Sequence, residues 1–315
     1  MASAWITGAH GFIGRYLARS LQAGGYQVAG IGHGAWPEAE AAHWGVSFWL
    51  NGDISASNLG QLRHSLGLPD VVFHLAGGSS VGAAIANPHE DFTRTVVSTA
   101  ELLEWLRQHS PATRLVAVSS AAVYGSAHSG PIAEDARLSP FSPYGAHKLM
   151  MEALCRSYAA NFGLQVVLPR VFSVYGPGLK KQLLWDLCGK IAAGGAVELG
   201  GSGDELRDWI DVRDVARGLE QVWKLAGEEA PVINLATGLA TSVREIATMV
   251  AAQWDGAGAP SRAVTFSGRS RPGDPFSLVA GIAQMRTCGI DKHIPVAQGI
   301  ADYVTWYRAQ AGAIS

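Results

Sequence analysis

Residues 4–14 read Ala4-Trp5-Ile6-Thr7-Gly8-Ala9-His10-Gly11-Phe12-Ile13-Gly14, and Leu17 and Leu21 continue a helical spacing that begins at Ile13. A short apolar run, a glycine turn and an amphipathic helix, in that order, form the opening βα unit of a parallel sheet. Glycines there have a physical use. The backbone turns tightly, comes close to a pyrophosphate and aims the first N–H groups of the helix at its charge. The spacing is G-x-x-G-x-x-G, so Gly8, Gly11 and Gly14, with Phe12 and Ile13 between them, are the candidate dinucleotide cradle.

Outward from this unit the alternation repeats. Residues 27–31, 46–50 and 71–75 read as the next three strands, and the last is apolar on both faces, as a strand covered by helices on each side requires. Helical patterns follow over 91–108 and 144–161, with strands at 115–119 and 165–168. After Tyr175 the glycine pairs 194–195 and 200–201 and the proline-rich 271–275 loosen the pattern. The expectation is an α/β protein: a Rossmann doubly wound parallel sheet over residues 1–170, then a smaller C-terminal α/β substrate-binding lobe. That lobe takes up most of 171–315, with some segments returning to the first domain.

Composition narrows the partners. Apolar residues make up 48% of the 315 and charged ones 16%, enough for a large core. A formal net charge of -2, with lysines and arginines scattered, argues against nucleic acid or an anionic membrane as partner. Cys155, Cys188 and Cys288 stand far apart, without metal-ligand spacing, which fits reduced thiols and no metal site. The first five residues do not begin a signal peptide, and no apolar run reaches about 18 residues, so a cytoplasmic location is expected.

The second strand ends Gly30-Ile31-Gly32-His33-Gly34, with neither a carboxylate for an adenosine 2′-hydroxyl nor an arginine for a 2′-phosphate. His33 either touches such a phosphate or is an exposed loop histidine. Asp53, followed by Ile54, either accepts from the adenine amino group or caps a turn or helix. The cofactor is therefore NAD or NADP.

Ser142-Pro143-Tyr144-Gly145-Ala146-His147-Lys148 carries the chemistry. Tyr144 and Lys148, four apart on a helix, share a face. A lysine cation close to a phenol favours the phenolate, lowering a pKa ordinarily about 10. Such a tyrosine exchanges a proton with a sugar hydroxyl near neutral pH. Upstream, Val118-Ser119-Ser120 ends a strand, and strand C-terminal ends are where parallel sheets place ligands.

With the glycine turn, these residues make the chain resemble the extended short-chain dehydrogenase/reductase family, in its nucleotide-sugar epimerase/dehydratase branch. The likeness runs almost end to end. His74-Leu75-Ala76-Gly77 matches the family's turn beside the cofactor, Arg170 to Gly178 the stretch leading into the substrate lobe, and Arg207-Asp208-Trp209-Ile210-Asp211 and Arg271-Pro272-Gly273-Asp274 two substrate-side segments. The resemblance implies Tyr144 as acid/base, Lys148 as its activator and Ser120, four before Tyr124, as hydroxyl partner. It implies Leu75, Ala76 and Gly77 beside the cofactor, Ser79 and Ser173 on the substrate side, and Arg207 and Arg271 clamping a diphosphate. It also implies a homodimer through a four-helix bundle built from the 91–108 and 144–161 helices, with Leu102, Leu103, Leu149 and Leu154 either at that interface or in the core.

Departures narrow the reaction. The family's dehydratases carry Asp-Glu after the catalytic threonine, where this chain has Ala121-Ala122. Its GDP-fucose-forming members use a cysteine and a histidine where Ala122 and Gly178 stand. Residues 74–99 align without gaps to UDP-galactose 4-epimerase, although Thr95 and Ser173 stand at family asparagines and Ser79 at a lysine. The implied function is a nucleotide-sugar epimerase working by hydride transfer at C4, as a UDP-hexose 4-epimerase does. The alternatives are an NADPH-dependent reductase of 4-keto-6-deoxysugar nucleotides and a non-catalytic dinucleotide sensor.

Overall fold

Seven strands lie side by side and all parallel: β1 (Ser3–Thr7), β2 (Gln27–Gly32), β3 (Phe48–Asn51), β4 (Val71–His74), β5 (Arg114–Ala117), β6 (Val166–Val171) and β7 (Val232–Leu235). Their order is β7-β6-β5-β4-β1-β2-β3. The computed structural model describes residues 2–256, 263–269, 274–290 and 292–312. Helices α1 (Phe12–Ala23), α2 (Ser98–His109), α3 (Pro143–Phe162) and α4 (Val212–Val222) cover the two faces. This is the expected Rossmann-like doubly wound fold.

Alternation along β1 explains the layers. Ala4 and Ile6 pack with Leu17, Ala18 and Leu21 of α1, while Trp5 faces the opposite core with Leu106 of α2 and Met151 and Cys155 of α3. Burying each large side chain of this kind is worth roughly 1.5–3 kcal/mol. Chain order reverses between β1 and β4, so the loops leaving their C-terminal ends diverge and open a crevice.

The expected helix over 91–108 is interrupted. Helix Pro88–Phe92 runs into a wide π turn at Thr93–Val97 before α2 begins. The hydroxyls of Thr93, Ser98 and Thr99 each donate to the carbonyl four residues back, which loosens a helix locally. Leu102 and Leu103 are fully buried in the core under the sheet, which excludes them from any dimer interface.

Beyond Val171 a second sheet forms from Ser173–Tyr175, Leu206–Asp211, Ala240–Ser242 and Ser277–Leu278. Helices Gln182–Ala193, Val243–Asp255 and Val296–Gly312 surround a separate core that includes Leu187, Ile246, Val250 and Tyr303. The chain then returns: α4 packs on α1 through Val215, Ala216 and Leu219, and β7 extends the main sheet. Asp208, fully buried, ties the lobe strand down by accepting from Thr237 N and Oγ1 at 2.7 Å, Gly238 N at 2.8 Å and Ala280 N at 3.2 Å. Those donors offset the burial that pushes its carboxyl up. Among the described residues no helix is long and apolar enough to cross a membrane.

Candidate active site

The loops leaving the main sheet and the facing edge of the second sheet enclose a cavity of about 1100 Å³. Its walls carry Gly8, Gly11, Phe12, Ile13 and Gly14, then His33, Asp53 and Ile54, then Leu75, Ala76, Gly77 and Ser79, and finally Ser120, Tyr144, Lys148, Ser173 and Arg207. Arg271 lies outside the described residues, though its neighbour Asp274 lines the cavity.

The glycine turn is built for close approach. Gly8 has φ +73°, and a Cβ on Gly14 would stand 2.4 Å from the Gly8 carbonyl oxygen. Helix α1 opens at Gly11 without a side-chain cap, so its first-turn N–H groups have no side-chain acceptor at the cavity wall. Uncapped donors and a wall without Cβ atoms fit a pyrophosphate.

The turn after β4 is held by a directed chain of hydrogen bonds. Ala76 N donates to Thr7 Oγ1 at 3.1 Å, and the Thr7 hydroxyl donates in turn to His74 Nδ1 at 2.8 Å. His74 Nε2 donates to Thr99 Oγ1 at 2.9 Å, and that hydroxyl donates to the Thr95 carbonyl at 2.5 Å. Thr95 Oγ1 accepts from Gly78 N at 2.8 Å. Burial first, and the Lys148 charge second, hold the His74 imidazole down at about 3, so it stays neutral. Thr95 thus serves as an anchor of the loop beside the cavity.

Ser120 hydrogen-bonds the Tyr144 phenol, and its Oγ also accepts from Ala122 N at 3.2 Å. Ser119 instead donates to buried Glu152 at 2.6 Å, so its hydroxyl is engaged away from the phenol. Glu152 receives Arg170 at 2.9 and 2.7 Å, an ion pair in which both side chains are 1% exposed. Lys148 Nζ donates to the Val118 carbonyl at 2.9 Å, and burial brings its pKa down to about 8. The expectation of an acidified phenol is corrected here. Burial pushes Tyr144 up, the Ser120 hydrogen bond lowers it in part, and the Asp91 carboxylate raises it.

At the far end of the glycine turn His33 Nε2 lies 3.1 Å from Asp53 Oδ1, both exposed, while the helix after β3 is capped by Ser55. Asp53 is therefore a pairing residue and not a cap. Arg207 Nη1 donates to the Leu206 and Phe276 carbonyls at 2.8 and 3.4 Å, and burial holds its guanidinium below the usual range. Two features escape sequence reasoning. Lys181, from the second lobe, donates to the Ser79 carbonyl at 2.8 Å across the cavity wall. Asp91 and His147 meet at 2.6 Å behind Lys148, from positions whose spacing shows nothing of the contact. The Lys148–Glu152 spacing of four on one helix was the only available signal for Glu152.

A model of the NAD dependent epimerase/dehydratase family matches residues 4–236. The chain belongs to this family. Within it, the chain is 30% identical to UDP-glucose 4-epimerase of Mycolicibacterium smegmatis, over 96% of this chain and 97% of that one. Solved members superpose closely. MoeE5 in complex with UDP-glucuronic acid and NAD gives a TM-score of 0.82 at 31% identity, covering 98% of this chain and 100% of that one. The Bacillus cereus UDP-glucuronic acid 4-epimerase, in complex with UDP-glucuronic acid and NAD, gives 0.86 at 26% identity, covering 98% and 99%.

Proposed function

We propose that this family member is a nucleotide-sugar 4-epimerase that retains NAD and inverts C4 of a UDP-hexose or a related UDP-sugar. The observation that carries the reading is the continuity of the cavity, which joins the glycine cradle, Ser120, Tyr144 and Lys148, and Arg207 in one space. Relatives that are 4-epimerases, and neighbours holding NAD with UDP-sugars, support it.

Residues 1–170 hold the dinucleotide, and 171–315 mainly hold the nucleotide sugar. Gly8, Gly11, Phe12, Ile13 and Gly14 receive the pyrophosphate; His33, Asp53 and Ile54 flank the adenosine; Leu75, Ala76 and Gly77 border the reactive end. NAD supplies a hydride acceptor whose oxidised ring is cationic, and so favours a phenolate nearby. Tyr144 takes the proton from the sugar O4 as C4 is oxidised, and returns it after the ketosugar presents its other face. Ser120 contacts the phenol and lowers its pKa in part, and the Lys148 ammonium acts with the cationic ring against the burial that raises it. Ser79, Ser173, Arg207 and Arg271 face the nucleotide sugar, with the arginines on its diphosphate. Ala121 is buried and Ala122 lines the cavity, so the two positions after Ser120 offer no acid or base for removing water.

Exposed Val97 and Met150, beside α2 and on α3, suit a homodimer through these helices, in a cytoplasmic enzyme. A second reading, an NADPH-dependent 4-ketoreductase, is favoured by one observation: the end of β2, Gly32 followed by His33, carries no carboxylate of its own, although Asp53 from the next loop stands 3.1 Å from His33. Denaturing the purified protein and identifying the released nucleotide by mass spectrometry separates the two. Stoichiometric NAD, with interconversion of UDP-glucose and UDP-galactose or of their uronates, is expected. An empty site or NADP, with oxidation of NADPH by 4-keto sugars, overturns the epimerase reading.

A further inference from the structure

Lys148 carries a buried positive charge, and two carboxylates face it. Glu152, one turn along α3, is already neutralised by Arg170 and also receives the Ser119 hydroxyl. Asp91 differs. It is 5% exposed, and among the described residues no lysine or arginine pairs with it. Its partner is the imidazole of His147, the residue before Lys148, at 2.6 Å. Its other oxygen is pressed against the loop beside the cofactor cradle, since a Cβ on Gly78 would lie 1.7 Å from Asp91 Oδ1. The adjoining Gly77 backs onto Lys148, whose Nζ would be 3.4 Å from a Cβ there. The carboxylate, the glycine pair and the ammonium are therefore packed in sequence.

We propose that Asp91, gripped by His147 and seated against Gly78, is a positioning residue whose negative charge balances Lys148 and sets the pH window in which Tyr144 exchanges its proton. The inference rests on the epimerase reading for Tyr144. Beside Asp91 on its own segment stand exposed His89 and the Glu90–Arg94 pair, bonded at 2.6 Å, and the groups on the other elements are as follows. On α3 these are Tyr144, His147, Glu152 and Cys155, whose thiol burial pushes up to about 12. On β4 the group is neutral His74, and on β6 it is Arg170, tied to Glu152. Asp91 raises both Tyr144 and Lys148, opposing the burial that lowers the lysine and adding to the burial that raises the phenol. Removing its charge has the same sign on both groups. Both limbs of the profile therefore move together to lower pH.

The test uses Asp91→Asn, which keeps an oxygen for His147, with Asp91→Ala as a second charge-removing variant. Two quantities are read in the full-length holoenzyme: the pH profile of kcat/KM for UDP-sugar epimerisation, and the phenolate absorbance of Tyr144, isolated by subtracting the same titration of Tyr144→Phe. The expected result is a shift of both limbs and of the phenol midpoint to lower pH by roughly half to one unit. His147→Gln, which keeps the carboxylate, produces no such downward shift. Limbs and midpoint that stay in place while only kcat falls would mark Asp91 as structural and overturn the proposal. A phenol midpoint that moves as expected in a protein that does not epimerise supports the electrostatic role and removes the epimerase reading alone.

Discussion

Gly14 is the position where one methyl group asks most of the fold. A Cβ there would sit 2.4 Å from Gly8 O and 2.8 Å from both Ala9 Cα and Ala9 O, all backbone atoms that no rotamer change can relieve. Reaching even the tight contact limit of 3.0 Å requires the start of α1 to retreat by about 0.6 Å from the turn. Overpacking of this kind costs roughly 1–3 kcal/mol, and a domain of this class loses roughly 2–4 °C of melting midpoint per kcal/mol. The same retreat carries the uncapped N–H groups of the first turn away from the pyrophosphate. One charge-assisted hydrogen bond is worth roughly 1.5–3 kcal/mol, so NAD retention is expected to fall about tenfold or more in Gly14→Ala. Calorimetry gives the midpoint, and mass spectrometry of the denatured protein gives the nucleotide stoichiometry. Gly60→Ala is the control, because its added Cβ meets nothing within 4 Å on the helix Ala56–Leu66, and it is expected to be neutral or stabilising. A Gly14→Ala protein that melts normally and retains full NAD would refute the argument that this glycine exists for close approach.

The buried ion pair gives a second expectation: Glu152→Ala strands Arg170, itself 1% exposed, and should cost about 3–5 kcal/mol in urea unfolding. A loss under 1 kcal/mol would show that water or Glu134 already satisfies the guanidinium. His74 gives a pH prediction. The native imidazole stays neutral down to about 3 while the unfolded one takes a proton near its ordinary 6.5, so stability falls as pH drops from about 6.5 toward 3. His74→Gln should be less stable than the parent at pH 7 and lose less between pH 7 and pH 4. Equal pH slopes for the two proteins would contradict the buried neutral histidine.

Much of this was legible before any coordinates. The order of apolar runs, the glycine turn and the Tyr144–Lys148 spacing are local signals, set by backbone periodicity and by what a helix face brings together. They pointed to the doubly wound sheet, which the structure shows, and to the glycine turn and the Tyr144–Lys148 helix as the candidate cradle and candidate catalytic helix. Helix limits were read less well near residue 93, because hydroxyl groups bonding back to carbonyls loosen the helix without breaking its apolar pattern. Leu102 and Leu103 were left between core and interface, since apolar spacing reports a buried face but not what buries it.

Only the tertiary structure decided the contacts that tune the site. Ser119 turns away to Glu152 across 33 residues of chain, and His147 reaches Asp91 across 56. Lys148 rests on the Val118 carbonyl, and burial raises the phenol that spacing alone suggested would be acidified. The physical reason is the same in each case. Periodicity fixes where a side chain leaves its own helix or strand, whereas desolvation and charge pairing depend on which distant segments close around it.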